Sequence, residues 1–209
     1  MKHRNITCLL SLISCTLLLQ ACASQVPVKQ SYDFGAMPAS GSSVPSSSPS
    51  SPAQANFAIS LADINAPGSL DSNAMLYRLE YDNAQQARPY SQHRWSMPPA
   101  QLLTQRLKAR IAEAGGSVVS ARDGVGNLPL LQIDLDEFSQ VFSSSSASAA
   151  QIQIRATVVK GRSLLAQRSF ARQIAAPGAD APGGAKAMVI ASDAMIADLL
   201  AWLHTLPLR

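Results

Sequence analysis

The carboxylates with the closest spacing in this 209-residue chain are Asp134, Asp136 and Glu137. Positions 134 and 136 share one face of a predicted strand, because side chains alternate between the two faces of a sheet. Two carboxylates could offer oxygen ligands to Ca²⁺, but a hard cation takes six or more and the neighbouring residues do not supply them. We therefore predict a solvated sheet face here and expect no metal site.

Residues for nucleophilic catalysis are equally scarce. After the first 21 positions the chain has two histidines, His93 and His204, and it has no Gly-x-Ser-x-Gly motif to present a serine. Gly183-Gly184 precedes a predicted helix as an anion-binding loop would, but the lysine and the Ser/Thr of a phosphate loop are missing. A hinge is the predicted role of the two glycines, and we expect neither an enzyme nor a cofactor.

One cysteine carries the most specific chemistry of the sequence. The tetrapeptide Leu-Gln-Ala-Cys that ends at Cys22 closes an apolar run from Ile6, and the basic residues Lys2 and Arg4 precede that run. The run has the length of the apolar part of a secretory signal peptide and is too short to span a bilayer. The alternative is a soluble secreted protein that is cleaved near Ala23.

The signal region resembles that of bacterial lipoproteins. This resemblance implies cleavage before Cys22, a diacylglycerol on its sulfur and a third acyl chain, such as palmitate, on the new amino terminus. Each acyl methylene buried in lipid contributes about 0.8 kcal/mol, so three chains would anchor the protein firmly. Residue 23 is alanine and not the aspartate that resembles an inner-membrane retention signal. We therefore expect a lipid anchor in the inner leaflet of the outer membrane, with the domain facing the periplasm.

Composition excludes several other classes of protein. Cys8 and Cys15 leave with the signal region and lipid consumes Cys22, so no thiol is left for a disulfide or a zinc site. Charged residues make up 14% and hydrophobic residues 47% of the chain, which is typical of a globular protein. The formal net charge is only +4 and no polybasic run occurs, so we expect no nucleic-acid partner.

The chain divides into three predicted parts: a signal peptide at 1–21, a lipidated N-terminus at 22–56 and one folded domain at 57–209. Within the second part, Ser31 to Gly35 forms a short extended segment whose aromatic residues could add a strand to the domain. The stretch from Met37 to Asn56 is rich in Ser, Pro and Ala and cannot bury enough apolar surface to order itself. We interpret it as a tether or a long loop.

Apolar periodicity predicts the elements of the domain. Alternating strands around Phe57 to Ile64 and Ala74 to Tyr81 are expected to form a hairpin. Pro98-Pro99 begins a predicted helix and Gly115-Gly116 ends it. The apolar residues at a spacing of four, which predict its buried stripe, are Leu103, Leu107 and Ile111. The residues predicted to face outward are Arg106, Lys108, Arg110 and Glu113.

Three further strands and a terminal helix complete the domain. The strands run from Leu128 to Phe142, from Gln151 to Val158 and through Phe170, and the helix carries Trp202 on its apolar stripe. This order of elements predicts an α+β fold. We expect a two-layer sandwich of a largely antiparallel sheet with two main helices packed on one face.

A series of short motifs gives the sequence a family resemblance. The motifs are Tyr32-Asp33-Phe34-Gly35, Leu70-Asp71 before Met75-Leu76-Tyr77-Arg78, Tyr90 with Trp95 and Pro98-Pro99 before Leu102-Leu103, and the alanine-rich final helix. Together they resemble the ABC-type transport auxiliary lipoprotein family over essentially the whole mature chain. The resemblance implies a non-enzymatic periplasmic component that accompanies a lipid-handling ABC system with an MCE-domain subunit. The chain departs from the pattern in its long Ser/Pro insertion between Ala36 and Asn56.

His93, Arg94 and Trp95 are the candidate partner-contact residues. Trp and Arg are enriched at interface hot spots because they combine large contact area with polar groups. The alternative is that Trp95 fastens the loop to the following helix. We therefore expect a docking component of a transport system for lipids or other hydrophobic compounds. The rival hypothesis is an accessory regulator of cell-wall or surface-polymer assembly, and a homo-oligomer stays open.

Overall fold

The computed structural model describes residues 28–37 and 57–208. Cys22, the signal region and positions 38–56 lie outside the described residues. The strands are β1 (Gln30–Tyr32), β2 (Ala58–Leu61), β3 (Ala74–Leu79), β4 (Ala84–Trp95), β5 (Ser117–Ser120), β6 (Leu130–Ser144), β7 (Ala147–Lys160) and β8 (Ser163–Ala175). The helices are α1 (Glu80–Asn83), α2 (Pro99–Glu113) and α3 (Ala181–Leu203), with a 3₁₀ turn at Ala121–Asp123.

Strand β6 is the centre of the sheet. One edge of β6 pairs along its length with β7, which pairs in turn with β8, and both pairings are antiparallel. Two strands share the other edge in parallel: β2 pairs near Leu130 and β3 pairs near Gln140. Beyond β2 lies β5, and beyond β3 lie β4 and β1. The sheet therefore divides into two branches at β6.

This topology corrects two sequence-based predictions. The sheet is mixed and not largely antiparallel, since β6 pairs in parallel with β2 and β3, β2 with β5, and β1 with β4. The predicted hairpin of the first two strands of the domain is wrong, because β2 and β3 contact different ends of β6. Alternation of apolar residues shows which face of a strand is buried, but it does not identify the neighbouring strand.

The α+β class and the placement of both main helices on one face agree with the prediction. On that face, buried side chains of β6 and β7 lie opposite one another in pairs. The pairs are Leu131 and Val158, Ile133 and Ala156, and Leu135 and Ile154. Helix α3 covers β7 and β8 with Met188, Met195 and other apolar residues. The opposite face carries polar residues such as Gln132 and Arg155.

Helix α2 begins at Pro99 as predicted and buries Leu103, Leu107 and Ile111. Arg106 does not face outward as predicted, since it is only 5% exposed. Its Nε and Nη2 atoms each donate to a carboxylate oxygen of Asp193 on α3 at 2.7 Å. A charged side chain can be buried on a helix when a partner from another element neutralises it.

The ion pair joins the two main helices and includes a second arginine. Nη2 of Arg110 lies 3.2 Å from the same carboxylate. Burial acts to raise the pKa of Asp193, but hydrogen bonds from Arg106 and Arg110 prevail and hold this pKa below its ordinary value. Asp193 therefore binds a proton more weakly in the folded protein than in the unfolded chain.

We expect Asp193→Asn to lower the free energy of unfolding near neutral pH by about 2 kcal/mol, somewhat less than for a fully buried pair. Because the folded-state pKa is depressed, the contribution of Asp193 is complete above about pH 5 and is lost as pH falls through the folded pKa. Urea unfolding of wild type and variant at about pH 6 and about pH 3 measures this. The stability difference should shrink at the lower pH, while Glu80→Gln, at an exposed position, should change little. A difference in the free energy of unfolding between wild type and Asp193→Asn that is independent of pH would contradict the lowered pKa of Asp193.

Candidate functional site

The N-terminal segment adds a strand to the domain, as the sequence suggested. β1 pairs in parallel with the end of β4, with Gln30 opposite His93 and Tyr32 opposite Trp95. Phe34 follows and is 7% exposed, in ring contact with Trp95 and with Phe138. The chain is thus docked before the Ser/Pro-rich stretch. That stretch connects two docked segments, Phe34 and the start of β2, and is not the link between Cys22 and the domain.

Four half-buried rings cross three strands beside this docked segment. The ring centroids of Tyr32 and His93 are 5.8 Å apart, those of His93 and Tyr90 are 5.8 Å apart, and those of Tyr90 and Tyr77 are 4.6 Å apart. We call Tyr32, His93, Tyr90 and Tyr77 the aromatic strip. Each keeps part of its surface in solvent, so the strip presents apolar ring surface together with polar groups.

A hydrogen-bond network fixes the strip to α3. The hydroxyl of Tyr90 donates to Oε1 of Gln140 at 3.0 Å, and Nε2 of Gln140 donates to Oγ of Ser148 and to the carbonyl of Asp180. Asp180 caps α3 by accepting from the backbone N–H of Gly183 at 2.7 Å. The strip therefore lies on the helix-bearing face of the sheet, beside the N-terminus of α3.

The hydroxyls of Tyr90 and Tyr32 do not act as bases near neutral pH. Burial raises the pKa of Tyr90 strongly, and the nearby Tyr77 and Asp180 act in the same direction. Burial, with Asp180, also raises the pKa of Tyr32. Both hydroxyls stay protonated and take part in hydrogen bonds, such as that between Tyr32 and Oε1 of Gln30 at 3.0 Å. Protonated hydroxyls of this kind are suited to hydrogen bonding with a binding partner and not to general-base catalysis.

The two glycines lie in the first turn of α3 and permit close contact, and their role as a hinge stays a prediction. A Cβ atom at Gly184 would lie 1.9 Å from Oε1 of Gln140, and one at Gly183 would lie 2.3 Å from the carbonyl of Gly178. Real Cβ atoms essentially never approach other atoms so closely. The absence of side chains lets α3 begin directly against the glutamine that holds Tyr90.

The three candidate contact residues do not share one surface. On β4, His93 and Trp95 point to the helix-bearing face and Arg94 to the opposite one, because side chains alternate along a strand. Trp95 is 1% exposed and packs against Phe34 and Phe138. Burial makes the Trp95 ring unavailable to a partner, and the rings that it contacts belong to β6 and to the N-terminal segment rather than to the following helix. Partner contact stays a prediction for His93, in the strip, and for exposed Arg94.

The motifs that gave the sequence its family resemblance converge at this site. Tyr32, Tyr77 and Tyr90 come from three of these motifs; Tyr77 and Tyr90 are ring neighbours, and His93 lies between Tyr90 and Tyr32. Sequence reasoning did not assign them to a site, although an aromatic residue in each motif was the available signal. Gln140 carried no such signal, because only the fold brings it to Tyr90.

The carboxylate cluster is distributed among separate partners. Asp134 accepts from Nδ2 of Asn65 at 3.0 Å, Asp136 lies 3.3 Å from Arg155, and Glu137 lies 3.4 Å from Arg78. Within residues 28–37 and 57–208 no group of three or more His, Cys, Asp or Glu residues is arranged to hold a metal ion. His204 is exposed at the end of α3, with its ring centroid 5.3 Å from that of Phe57.

Fold and site together define a small α+β domain whose N-terminal strand supports an aromatic surface. The family model of the ABC-type transport auxiliary lipoprotein component matches residues 41–201, and the chain belongs to this family. The comparison of this chain with curated proteins found no match. Among the helices of the described residues, none is long and apolar enough to cross a membrane.

Two solved structures share the fold. One is protein XCC0632 from Xanthomonas campestris, of the DUF330 family, which superposes with a TM-score of 0.65 at 19% sequence identity. The superposition covers 72% of this chain and 85% of the chain of XCC0632. A structure described as an uncharacterized protein has a TM-score of 0.65 at 15% identity and covers 84% of this chain and 99% of its own. At these identities the likeness shows the fold alone.

We expect Trp95→Ala to lower the free energy of unfolding by roughly 3–5 kcal/mol, because it empties a packed space between Phe34 and Phe138. Arg94→Ala, at the next position and on the exposed face, should change it by less than about 0.5 kcal/mol. Thermal and urea unfolding of both variants measure this. Similar losses for the two variants would contradict the burial of Trp95 and the exposure of Arg94 on β4.

Proposed function

We propose that this protein is a non-enzymatic docking component of an MCE-associated ABC-type transport system for lipids or other hydrophobic compounds. It is anchored in the inner leaflet of the outer membrane by acylated Cys22, and the aromatic strip is its contact surface for the MCE-domain subunit. The observation that carries the proposal is that the strip borders β1, the strand that directly follows the anchoring segment. Family membership supports the association with a transporter.

The distance from the anchor to β1 supports this orientation. Eight positions separate Cys22 from Gln30, and an extended chain spans at most about 3.6 Å per residue, or roughly 29 Å here. A lipid on Cys22 would thus hold the β1 edge, with Tyr32 and His93, within about 30 Å of the membrane. A partner that exchanges apolar compounds with this membrane would meet the strip there.

The chemistry of the strip supports binding of a protein surface that includes apolar groups. Tyrosine offers large ring area with few rotatable bonds and a hydroxyl for hydrogen bonding. The bond from Tyr90 to Gln140 fixes the ring before any partner arrives, which reduces the entropy lost on association. ATP hydrolysis belongs to another subunit, since this sequence has no phosphate-binding loop.

The second candidate function is regulation of cell-wall or surface-polymer assembly. The same anchor and surface would serve it, and the identity of the partner separates the two. An adjacent permease, ATPase and MCE-domain gene favours transport, whereas an adjacent polymer synthase gene favours regulation.

The anchor makes its own prediction. Cys22→Ser removes the sulfur that would carry diacylglycerol, so the variant should leave the outer-membrane fraction or accumulate unprocessed. Membrane fractionation and the mass of the N-terminal peptide measure this, with Ser24→Ala as the matched control. Wild-type protein without an acyl mass increment, or entirely in the soluble periplasmic fraction, would refute the anchor.

The strip predicts that Tyr77→Ala weakens co-purification with the MCE-domain subunit at least about tenfold, since loss of one aromatic anchor costs 1–2 kcal/mol or more of binding. Tyr81→Ala is the matched control, because Tyr81 is exposed at 54% on α1 and outside the strip. Melting temperatures of both variants separate lost binding from lost folding.

A photo-reactive residue at position 93 identifies the partner in cells. Crosslinks to an MCE-domain subunit would support the transport role, and crosslinks to a polymer synthase would support the second candidate. Equal binding by the two tyrosine variants would refute the strip as the contact surface.

A further inference from the structure

The sheet has one long open edge, on the side opposite to β1. Among the described strands β8 pairs only with β7, and it is 13 residues long. The other terminal strands, β1 and β5, have 3 and 4 residues. An unpaired strand presents a row of backbone N–H and C=O groups to any extended chain that approaches it. The length of β8 would allow several consecutive main-chain hydrogen bonds.

A groove runs beside this edge on the helix-bearing face. It has a volume of about 420 Å³ and lies between β8 and the last turns of α3. Phe170 and Trp202 form its floor, with ring centroids 5.7 Å apart. Side chains of an added strand would lie about 5 Å from their neighbours on β8. An apolar side chain opposite Phe170 would therefore enter the groove.

The charges at the groove are basic on the strand. Arg168 and Arg172 lie on either side of Phe170 on the same face, and β8 contains no acidic residue. Arg172 forms an ion pair with Asp198 of α3. The guanidinium of Arg168 lies 5.3 Å from the ring centre of Phe170, and no carboxylate of the described residues is within ion-pair distance of it. Arg168 is thus positioned to accept a carboxylate from outside.

We propose that β8 binds an extended segment of a partner protein as an added strand, with an apolar side chain of that segment in the Phe170–Trp202 groove and an acidic side chain two residues away on Arg168. Main-chain hydrogen bonds provide affinity in this mode of recognition, and pockets for alternate side chains provide specificity. The inference goes beyond the proposed function, because the aromatic strip lies at the other end of the sheet.

A second copy of this chain fits the edge poorly. Two-fold antiparallel pairing of β8 with β8 about Phe170 would set Arg168 of each copy opposite Arg172 of the other. Like charges directly opposite one another destabilise a pair of strands. The charge pattern therefore favours an acidic partner segment over self-association.

Synthetic peptides test the proposal on the full lipidated protein in detergent. The probe is a fluorescent Thr-Glu-Thr-Leu-Thr-Glu-Thr peptide, which places two acidic side chains and one apolar side chain on the same face of a strand. Matched peptides carry Lys in place of Glu, or N-methyl groups on alternate backbone nitrogens. Fluorescence anisotropy gives the affinity, and hydrogen exchange reports protection of the β8 amides.

We expect the acidic peptide to bind, to protect β8 and to lose about tenfold or more in affinity with Arg168→Glu. The Lys peptide should prefer that variant, which would show that charge and not folding is responsible. Arg155→Glu, on the polar face of β7, is the matched control and should bind as wild type does. Tyr77→Ala should also bind normally, which separates this site from the aromatic strip.

Three outcomes of the peptide experiments would overturn the proposal. They are equal binding of the N-methylated peptide, equal binding by wild type and Arg168→Glu, and no binding of the acidic peptide. Dimerisation that protects β8 amides in the absence of peptide would instead assign the edge to a second copy and would also overturn it.

Discussion

Strand β6 is 15 residues long, and its backbone N–H and C=O groups need hydrogen-bond partners along both edges. The strands that pair with β6 determine where most other elements lie. β7 pairs along one edge for almost its entire length. The second edge is divided between β2 and β3, which lie at opposite ends of it. This division creates two branches of the sheet and leaves the helices to cover the apolar face that β6 and β7 share. The long open strand β8 and the docked strand β1 are then at opposite ends of the sheet.

The two ends of the sheet differ in chemistry because they adjoin opposite ends of helix α3. At the β1 end, α3 begins against Gln140, and the rings beyond its N-terminus keep part of their surface in solvent. At the β8 end, the last turns of α3 leave a groove over Phe170, flanked by arginines. One surface is aromatic, and the other is an open backbone edge with positively charged arginines beside it. If Cys22 is acylated as we propose, the lipid would hold the first surface near the membrane, and the second surface lies at the other end of the sheet.

Several features were predictable because they depend on local patterns. The bounds of α2 follow from proline at its start and glycine after its end, and its buried stripe follows from Leu103, Leu107 and Ile111. The docking of Phe34 was suggested by an aromatic residue in a polar segment. Other features depend on contacts between distant positions. Arg106 is buried because Asp193, 87 residues away, neutralises it, and helical periodicity cannot contain that information.

The sequence by itself determined the chemical types that are available, the apolar faces of individual strands and helices, and the family resemblance. It placed His93, Arg94 and Trp95 side by side, but strand alternation puts Arg94 on one face and buries Trp95 under the other. Only the tertiary structure decided that Tyr32, Tyr77, Tyr90 and His93 form one surface and that β8 is an open edge. The physical reason is that alternation and periodicity act within a segment, whereas strand partners are chosen by the free energy of the whole packed sheet.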